Sequence, residues 1–245
     1  MAIVTGGSRG IGAATCALLA SQGWDVAVVY RSDSAAADEV VAACTAAGAR
    51  AVAVAADVSV EADVLHLFAT VDAELGIVSA LINNAGIVGH KARVDELSFD
   101  RLQNMMAVNV VGPFLCAREA VRRMSTLHGG SGGVIVNVSS VASRIGGPGE
   151  YVDYAASKGA IDTLTLGLSK EVATEGIRVN TVRPGIVDTD IHASGGQPDR
   201  AQRLAHLIPL QRPGRAVEIA EAIAWLCSPA SSYVTGATLD VSGGR

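Results

Sequence analysis

The sequence has few aromatic residues, no excess of positive charge and no long apolar run, and each shortage narrows the possible functions. Aromatic residues make up 4% of the chain, and the formal net charge is −5. The chain therefore lacks the basic surface with which proteins bind nucleic acids or other polyanions. No apolar run approaches the roughly 20 residues that a membrane span requires. Because the N-terminal MAIVTGG enters a strand at once, we expect neither a signal peptide nor a membrane partner.

The cysteines are also too few and too scattered for a disulfide framework or a metal site. None forms a C-x-x-C pair or has the spacing of metal ligands. We interpret all four as buried small apolar side chains and expect no metal. Free cysteines suit a reducing compartment, so we expect a cytoplasmic protein. The four are Cys16, Cys44, Cys116 and Cys227.

Apolar residues, in contrast, are abundant and regularly arranged. They make up 49% of the chain against 18% charged residues, which is enough for a large core. Short apolar runs rich in β-branched residues predict strands buried on both faces of a parallel sheet. The clearest runs are AIVT, DVAVVY, AVAVAA, ALIN, VIVNVS and IRVNTV, with a last strand at about 238–241.

Segments with helical periodicity lie between these runs, at residues 11–22, 34–47, 60–75 and 159–175. Strict alternation of strands and helices predicts βαβ crossovers. We therefore expect an α/β fold: a single Rossmann-like domain over residues 1–245, with a doubly wound parallel sheet of about seven strands and helices on both faces. The stretch 188–212 has no clear pattern and is a candidate substrate lid.

The first turn, TGGSRGIG (Thr5 to Gly12), has the chemistry of a dinucleotide-binding loop. It matches neither the G-x-G-x-x-G fingerprint nor a P-loop. However, Gly6 permits a tight turn, Gly10 lets the backbone approach a pyrophosphate, and Gly12 lets the helix pack on the strand. The helix N-terminus then presents N–H groups to the phosphates. The alternative is an ordinary glycine-rich turn.

Four motifs together resemble the short-chain dehydrogenase/reductase family. TGGSRGIG at the first turn, NNAG at 83–86, YAASK at 154–158 and RPG at 183–185 have that family's order and rough spacing, and the resemblance covers the whole chain. It implies an oxidoreductase that transfers hydride between a nicotinamide cofactor and the carbonyl or secondary alcohol of a small substrate.

Tyr154 and Lys158 are the candidate proton-transfer pair. On a helix they are i and i+4 and therefore neighbours on one face. A nearby cation lowers the pKa of a phenol, so we expect Tyr154 to act as a general acid and base. The resemblance implies that Lys158 also holds the nicotinamide ribose. Tyr151 lies two turns from Lys158 and is either a wall of the substrate cleft or plain packing.

Two further polar residues complete the expected catalytic set. Ser140 ends the fifth strand, where open sheets place ligand groups, and it would hydrogen-bond the substrate carbonyl; Ser139 is its competitor. Asn109 matches the helical asparagine that anchors a water beside the lysine in the family, and alone it reads as an ordinary helical residue. In the lid, we place His192 in the substrate cleft.

The second strand suggests the cofactor. Tyr30 stands where NAD-binding relatives place an acid, Arg31 follows it, and Arg9 lies in the glycine loop, whereas Asp33 comes too late. Because two arginines can clamp a 2′-phosphate, NADP(H) is favoured over NAD(H). Together with the pair above, the expected cofactor contacts are Gly6, Ser8, Arg9, Gly10, Ile11, Gly12, Tyr30, Arg31, Asp57, Val58, Asn83, Ala85, Gly86, Pro184, Gly185, Val187 and Thr189.

The sequence leaves the substrate open. Charges in the candidate substrate segments have mixed signs. Carrier-protein reductases of the family commonly have a basic residue at the position of Glu175, and an acidic carrier would be repelled there. A 3-oxoacyl-carrier-protein reductase and a sugar dehydrogenase nevertheless stay as alternatives, as does a nucleotide-binding module without catalysis. Such modules usually lose the tyrosine or the lysine, and both are present here.

Surplus apolar surface predicts self-association. Residues 100–124 read as a long helix, and both it and the helix after Tyr154 carry more apolar side chains than one packing face needs. The two helices meeting their copies would form one two-fold contact, and the edge of the last strand a second. We expect a homotetramer of D2 symmetry, the habit of the family, with a dimer as the alternative.

Overall fold

A seven-stranded, all-parallel sheet forms the centre of the computed structural model, which describes residues 1–245. The strands are β1 (Ala2–Val4), β2 (Val26–Tyr30), β3 (Ala51–Ala55), β4 (Ala80–Asn83), β5 (Gly133–Val138), β6 (Ile177–Pro184), β7 (Val187–Asp188), β8 (Gly214–Arg215) and β9 (Thr238–Val241). Their order in the main sheet is β3-β2-β1-β4-β5-β6-β9, and β7 pairs with β8 in a separate two-stranded sheet. The expected doubly wound parallel sheet is confirmed.

Ten α-helices connect and cover the strands. They are α1 (Gly10–Ser21), α2 (Ser34–Ala46), α3 (Glu61–Glu74), α4 (Phe99–Met106), α5 (Gly112–Met124), α6 (Ala142–Ile145), α7 (Val152–Glu171), α8 (Ile191–Ser194), α9 (Arg200–Arg203) and α10 (Ala216–Cys227). The first three begin and end within one or two residues of their predicted bounds. No helix is both long enough and apolar enough to span a bilayer.

Two helices depart from the sequence-based prediction. The helix expected over 159–175 begins at Val152, so that the YAASK motif lies in its first two turns. The long helix expected over 100–124 is interrupted by a π-helical segment at Ala107–Val111, which joins α4 to α5. Such single-turn bulges occur frequently at functional sites.

Each face of the sheet is covered by a separate hydrophobic layer. One layer joins α1 and α10 to the strands through residues such as Leu19 and Ile223. The other joins α3 and α5 through Phe68 and Met124. Burial on both faces explains why the strands are continuously apolar rather than alternating. All four cysteines are free and buried in these layers, as predicted.

The winding of the sheet reverses between β1 and β4. From β1 the chain builds outward to β2 and β3, and from β4 it builds in the opposite direction to β5 and β6. At the carboxyl ends of β1 and β4, the Thr5 hydroxyl accepts hydrogen bonds from the backbone N–H groups of Asn84 and Ala85, both at 3.0 Å. Ligand crevices of open α/β sheets lie at such a reversal.

A buried ion pair holds the start of α7 against α4. The Asp153 carboxylate is fully buried, and Arg101 donates to it at 2.8 and 3.2 Å. The same guanidinium donates to the backbone carbonyl of His90 at 2.6 Å. Three chain segments therefore converge on Arg101, beside the residue that precedes Tyr154.

We expect Arg101→Met to destabilise the protein by about 3–5 kcal/mol, because it leaves the Asp153 carboxylate buried without a counter-charge. Arg93→Met is the matched control, since Arg93 and its partner Asp95 are both exposed. Urea unfolding at pH 7 measures both changes. Equal, small losses in the two variants would contradict a structural role for the Arg101 ion pair.

Candidate functional site

A cavity of about 400 Å³ opens at the carboxyl ends of the central strands. Its wall combines the ends of β5 and β6, the first turns of α7 and the segment that follows β7. Ser140, Tyr154 and Lys158 all line it, so the structure brings together three of the four candidate catalytic side chains. The cavity is the one place where the YAASK helix, the glycine loop and the candidate lid meet.

Lys158 is buried beneath this cavity. It is the only lysine or arginine among the buried residues, with 5% of its surface exposed. Its Nζ donates to the backbone carbonyl of Val138 at 2.7 Å. Burial lowers the pKa of Lys158 to about 8, and the charge of Asp162, one turn further along α7, opposes that shift. The ammonium is therefore mostly protonated at pH 7, at a cost in solvation that no exposed lysine bears.

Tyr154 lies above Lys158, whose Nζ is 5.8 Å from the centre of the phenol ring. Burial raises the pKa of the Tyr154 phenol above its ordinary value, and a hydrogen bond with Ser140 opposes the shift. The lowering that we expected from the neighbouring cation is therefore wrong for this arrangement. The reason is that desolvation of the phenolate outweighs the attraction, while Lys158 directs its hydrogen bond to Val138.

The two candidate serines have different surroundings. The Ser140 side chain lines the cavity together with Tyr154, and its Oγ accepts from the Ala142 backbone N–H at 3.1 Å. The Ser139 hydroxyl is buried and donates to the backbone carbonyl of Lys158 at 3.0 Å. This geometry favours Ser140 as the group that meets a substrate and gives Ser139 a role in holding α7.

Asn109 lies in the π-helical segment, and its side chain binds the chain segment that follows β4. Its Oδ1 accepts from the Ile87 backbone N–H at 2.8 Å, and its Nδ2 donates to the Ile87 carbonyl at 2.9 Å. A methyl group placed on Gly86 would lie 3.4 Å from Asn109 Oδ1 and 3.5 Å from Lys158 Nζ. The Asn109 side chain therefore holds the segment that follows β4 beside Lys158, and both ends of its amide group bond to the Ile87 backbone.

The glycine loop forms a cradle that larger residues would fill. Gly6 has φ +63°, and a Cβ on Gly12 would lie 2.1 Å from the Gly6 carbonyl oxygen. Gly10 has φ +54° and faces Thr189 across the loop. The exposed backbone at the start of α1 fits a dinucleotide pyrophosphate, because helix N-terminal N–H groups bind phosphate. Ser8 is half-buried in the same turn, and Ile11 lines the cavity.

The residues behind the NADP(H) prediction lie in the glycine loop and at and after the end of β2. Arg9 and Arg31 are exposed, and neither has a carboxylate partner. Tyr30 packs its ring against the core. Asp33 accepts from the Ala36 N–H and caps α2, which removes it as a ribose-binding acid.

One predicted cofactor contact is wrong in its side chain. The Asn83 amide is buried and donates to Asn137 Oδ1 at 2.9 Å, inside the sheet and away from the cradle. Its neighbour Asn84 instead lines the cavity and donates to the carbonyls of Thr5 and Gly6 at 2.9 and 3.0 Å. The two asparagines of NNAG are adjacent in sequence, and the turn of the backbone at the end of β4 sends their side chains in different directions.

Asp57, Val58 and Ala85, three further predicted cofactor contacts, each make contacts within the protein. Asp57 Oδ1 accepts from the backbone and hydroxyl of Ser59 at 2.9 and 2.6 Å. Val58 is buried and packs against Gly112 of α5. Ala85 abuts Gly6, where an added Cβ would lie 3.0 Å away.

The remaining predicted residues form the far wall of the cavity. Pro184, Gly185, Val187 and Thr189 all line it, as do Tyr151 and His192. Burial lowers the pKa of His192, and a hydrogen bond with the Val187 carbonyl at 2.9 Å opposes the shift.

Sequence reasoning gave no individual role to several wall residues, although three of them lie in the candidate lid 188–212. They belong to no motif, and the course of the chain around the cavity reveals their positions. The most prominent are Val88, Ile145, Arg200, Leu204, Leu207 and Arg245.

Residues 6–245 match a family model described as enoyl-(acyl carrier protein) reductase. The chain is 56% identical over 245 residues to the uncharacterized oxidoreductase YgfF of Escherichia coli, covering 100% of this chain and 99% of that protein. It belongs to the short-chain dehydrogenase/reductase family. Like other members of this family, it is an NAD(P)-dependent oxidoreductase that acts on CH–OH and C=O groups.

Relatives within the family differ in their substrates. Glucose 1-dehydrogenase 2 of Bacillus subtilis is 38% identical over 243 residues, covering 99% of this chain and 93% of that protein. A 3-oxoacyl-[acyl-carrier-protein] reductase of Synechocystis is 37% identical over 245 residues, covering 100% and 96%. A short-chain dehydrogenase of Burkholderia cenocepacia, solved in complex with NADP, has a TM-score of 0.91 at 34% identity, covering 99% and 96%.

The buried ammonium predicts a specific pH dependence of stability. The unfolded chain holds the Lys158 proton up to its ordinary pKa of 10.5, whereas the folded protein releases it near 8. Between these values the wild type should therefore gain stability relative to Lys158→Met as the pH rises, by roughly 3 kcal/mol in total. Denaturant unfolding from pH 7 to 10.5 measures the difference in unfolding free energy between the wild type and Lys158→Met. The same difference for Lys170→Met, at an exposed position, should show no such trend. A difference for Lys158→Met that does not change with pH would contradict the burial argument.

Proposed function

We propose that the protein reduces the carbonyl group of a small molecule, with NADPH as the preferred cofactor, and that Tyr154 is its proton donor. The observation that carries this proposal is that Tyr154 and Ser140 both line the cavity, with the Nζ of the buried Lys158 5.8 Å from the centre of the Tyr154 ring. A phenol and a hydroxyl placed side by side can both contact one carbonyl oxygen.

The raised pKa of Tyr154 keeps its phenol protonated, as a proton donor requires. A phenol that burial keeps protonated at neutral pH is an acid, and its Oη can donate a proton to a substrate oxygen as negative charge develops there. Ser140 would hold the same oxygen, and the ammonium of Lys158 would stabilise the resulting phenolate. When bound, the nicotinamide supplies the hydride. Asn109 keeps Gly86 and Ile87 in place beside this group.

Substitution of the two tyrosines separates proton donor from cleft wall. Tyr154→Phe should lower kcat by about 10²–10⁴-fold, because it removes the acid and leaves the ring. Tyr151→Phe removes only a hydroxyl that contacts Gln197 and should be much milder. Steady-state oxidation of NADPH with a panel of ketones, sugars and acyl thioesters measures both variants.

A Tyr154→Phe variant that keeps its activity, with Tyr151→Phe inactive, would show that the wrong tyrosine was chosen. Cofactor binding by Tyr154→Phe, followed by fluorescence, is the control for folding. A wild-type protein that binds nucleotide and reduces no member of the panel would favour the alternative of a non-catalytic nucleotide-binding module.

The NADPH preference is supported by charge. Arg9 in the glycine loop and Arg31 after β2 are exposed and have no carboxylate partner, while Tyr30 stands where an acid would bind a free 2′-hydroxyl. A charge-assisted contact to a phosphate contributes about 1.5–3 kcal/mol. The NADP present in the Burkholderia structure belongs to that protein and is consistent with this proposal.

Arg31→Ala should weaken NADPH binding roughly ten- to a hundredfold and leave NADH binding nearly unchanged. Calorimetric titration with both nucleotides measures this directly. Arg93→Ala, which removes an exposed charge elsewhere, is the matched control. Tighter binding of NADH than NADPH by the wild type would overturn the preference.

We further propose that residues 188–212 act as a lid. This segment packs on the loop after β4, where Gly195 lies against Val88 and Gly196 lies against His90.

Among substrates, a sugar or a carrier-bound 3-oxoacyl group stays as an alternative to a small ketone, given the two relatives above. Glu175 accepts a hydrogen bond from the Ser125 hydroxyl, so its acidic side chain is a fixed feature at the position where a carrier would approach.

A homotetramer is our proposal for the assembly. Phe114 of α5 and Leu166 of α7 are each 50% exposed, which is unusual for large apolar side chains on neighbouring helices. A second apolar group lies near the β9 edge and includes Trp225, Tyr233 and Leu239. Two separate apolar patches, each in contact with its own copy, fit D2 symmetry.

We also propose a reducing compartment such as the cytoplasm, because all four cysteines are free.

Light scattering coupled to size exclusion should give a mass of about 100 kDa, four times the 24.9 kDa chain. Phe114→Glu should convert this species to a dimer, because it places a charge in one of the two apolar patches and leaves the other. Val94→Glu, at another exposed apolar position, is the control. A wild-type mass of one chain at micromolar concentration would refute the surplus-surface argument.

A further inference from the structure

Two arginines in the cavity wall have incomplete hydrogen bonding. Only three buried side-chain polar atoms in the protein lack a partner, and two of them are the Nη1 atoms of Arg200 and Arg245. Both arginines line the candidate substrate cavity. Buried donors without partners are rare in folded proteins. Two at one cavity indicate an anionic group that the chain itself does not provide.

Arg200 is held in a defined position. Its side chain is 12% exposed, and its guanidinium lies 5.0 Å above the centre of the Tyr151 ring. Nη2 pairs with Glu150 Oε2 at 2.8 Å. Arg200, Tyr151 and the proposed proton donor Tyr154 all line the same cavity, and Tyr151 precedes Tyr154 by three residues.

The charges around the cavity are mostly positive, although the chain has a net charge of −5. Its lining contains Lys158, Arg200 and Arg245 against a single carboxylate, Glu150. Burial by itself raises the pKa of Glu150, but its hydrogen bond with Arg200 and the charges of Arg200 and Lys91 hold the pKa below the usual value. Glu150 therefore compensates Arg200 only in part, because it also pairs with Lys91, and Arg245 has no acidic partner.

The rest of this wall is apolar. Ile145, Leu204 and Leu207 line the cavity beside the arginines. A ligand that suits the cavity therefore has an apolar body and one anionic end. The planar fork of a guanidinium matches a carboxylate.

We propose that the substrate is an oxo acid or hydroxy acid whose carboxylate is bound by Arg200 with help from Arg245. This inference rests on the proposed function, because it places the carbonyl of the same molecule at Tyr154 and Ser140. Arg200 and Arg245 are then specificity-determining residues. The carboxylate makes contacts that a neutral ketone of equal size lacks.

Binding of an unreactive probe tests this without turnover. Hexanoate and hexanamide have the same carbon chain and differ in charge, and calorimetric titration of the full-length protein measures both. We expect hexanoate to bind at least ten times more tightly, and Arg200→Gln or Arg245→Gln to remove most of that difference. Arg93→Gln, which makes the same change in net charge at an exposed site, should preserve it.

Glu150→Gln gives the opposite change and guards against misfolding as an explanation. Because it removes the carboxylate that competes for Arg200, it should tighten hexanoate binding severalfold and leave hexanamide binding unchanged. Equal binding of the two probes by the wild type, or a preference for hexanoate that both arginine variants retain, would overturn the proposal. Displacement of hexanoate by a lower concentration of inorganic phosphate would reassign the arginines to a phosphate group and overturn the carboxylate assignment.

Kinetics separate this inference from the proposed function. With 5-oxohexanoate and its methyl ester, we expect kcat/KM to favour the acid by about tenfold in the wild type and by much less in Arg200→Gln. If the ester is reduced at least as well as the acid, the carboxylate assignment fails and carbonyl reduction stands. If hexanoate binds as predicted and no carbonyl compound is reduced, carbonyl reduction fails and the anion site stands.

Discussion

The placement of the Lys158 ammonium in the protein interior is the constraint on which the site depends. A buried cation is costly, and it is retained here because Val138 provides a carbonyl at 2.7 Å and Asp162 a nearby negative charge. These contacts fix α7 against the end of β5. That contact in turn sets the positions of Tyr154 and Ser140, which stand on those two elements. The chemistry of the site therefore follows from how one helix is docked on one strand.

The same docking explains why polar interactions are concentrated around the first turns of α7. Arg101 forms an ion pair with Asp153, and the Ser139 hydroxyl donates to the backbone carbonyl of Lys158. Asn109 binds the backbone of Ile87, in the segment that follows β4. None of these groups faces a substrate. They restrict the motion of those that do, and they are satisfied before any ligand arrives. The arginines of the cavity wall are the exception, which is why they indicate a ligand.

The sequence predicts the framework well because the framework follows from local patterns. Continuous apolar runs identify buried parallel strands, and the spacing of Tyr154 and Lys158 needs only a helix to become a contact. Where two residues of the same type are adjacent, local pattern is not enough. Only Asn83 was predicted as a cofactor contact, but its side chain turns into the sheet, whereas that of Asn84 turns toward the glycine loop. The raised pKa of Tyr154 also depends on burial, which spacing alone does not reveal. Arg200 and Arg245 reach the cavity from segments without a motif, and only the tertiary course of the chain brings them there.

The chain contains only three lysines, Lys91, Lys158 and Lys170, so their individual titrations can be followed by NMR of protein labelled at lysine. Lys91 and Lys170 are exposed, whereas Lys158 is buried, and variants at the exposed pair assign the signals. The account predicts that Lys158 titrates near pH 8. A Lys158 signal that titrates near the ordinary lysine value of about 10.4 would contradict a buried ammonium at the centre of the site.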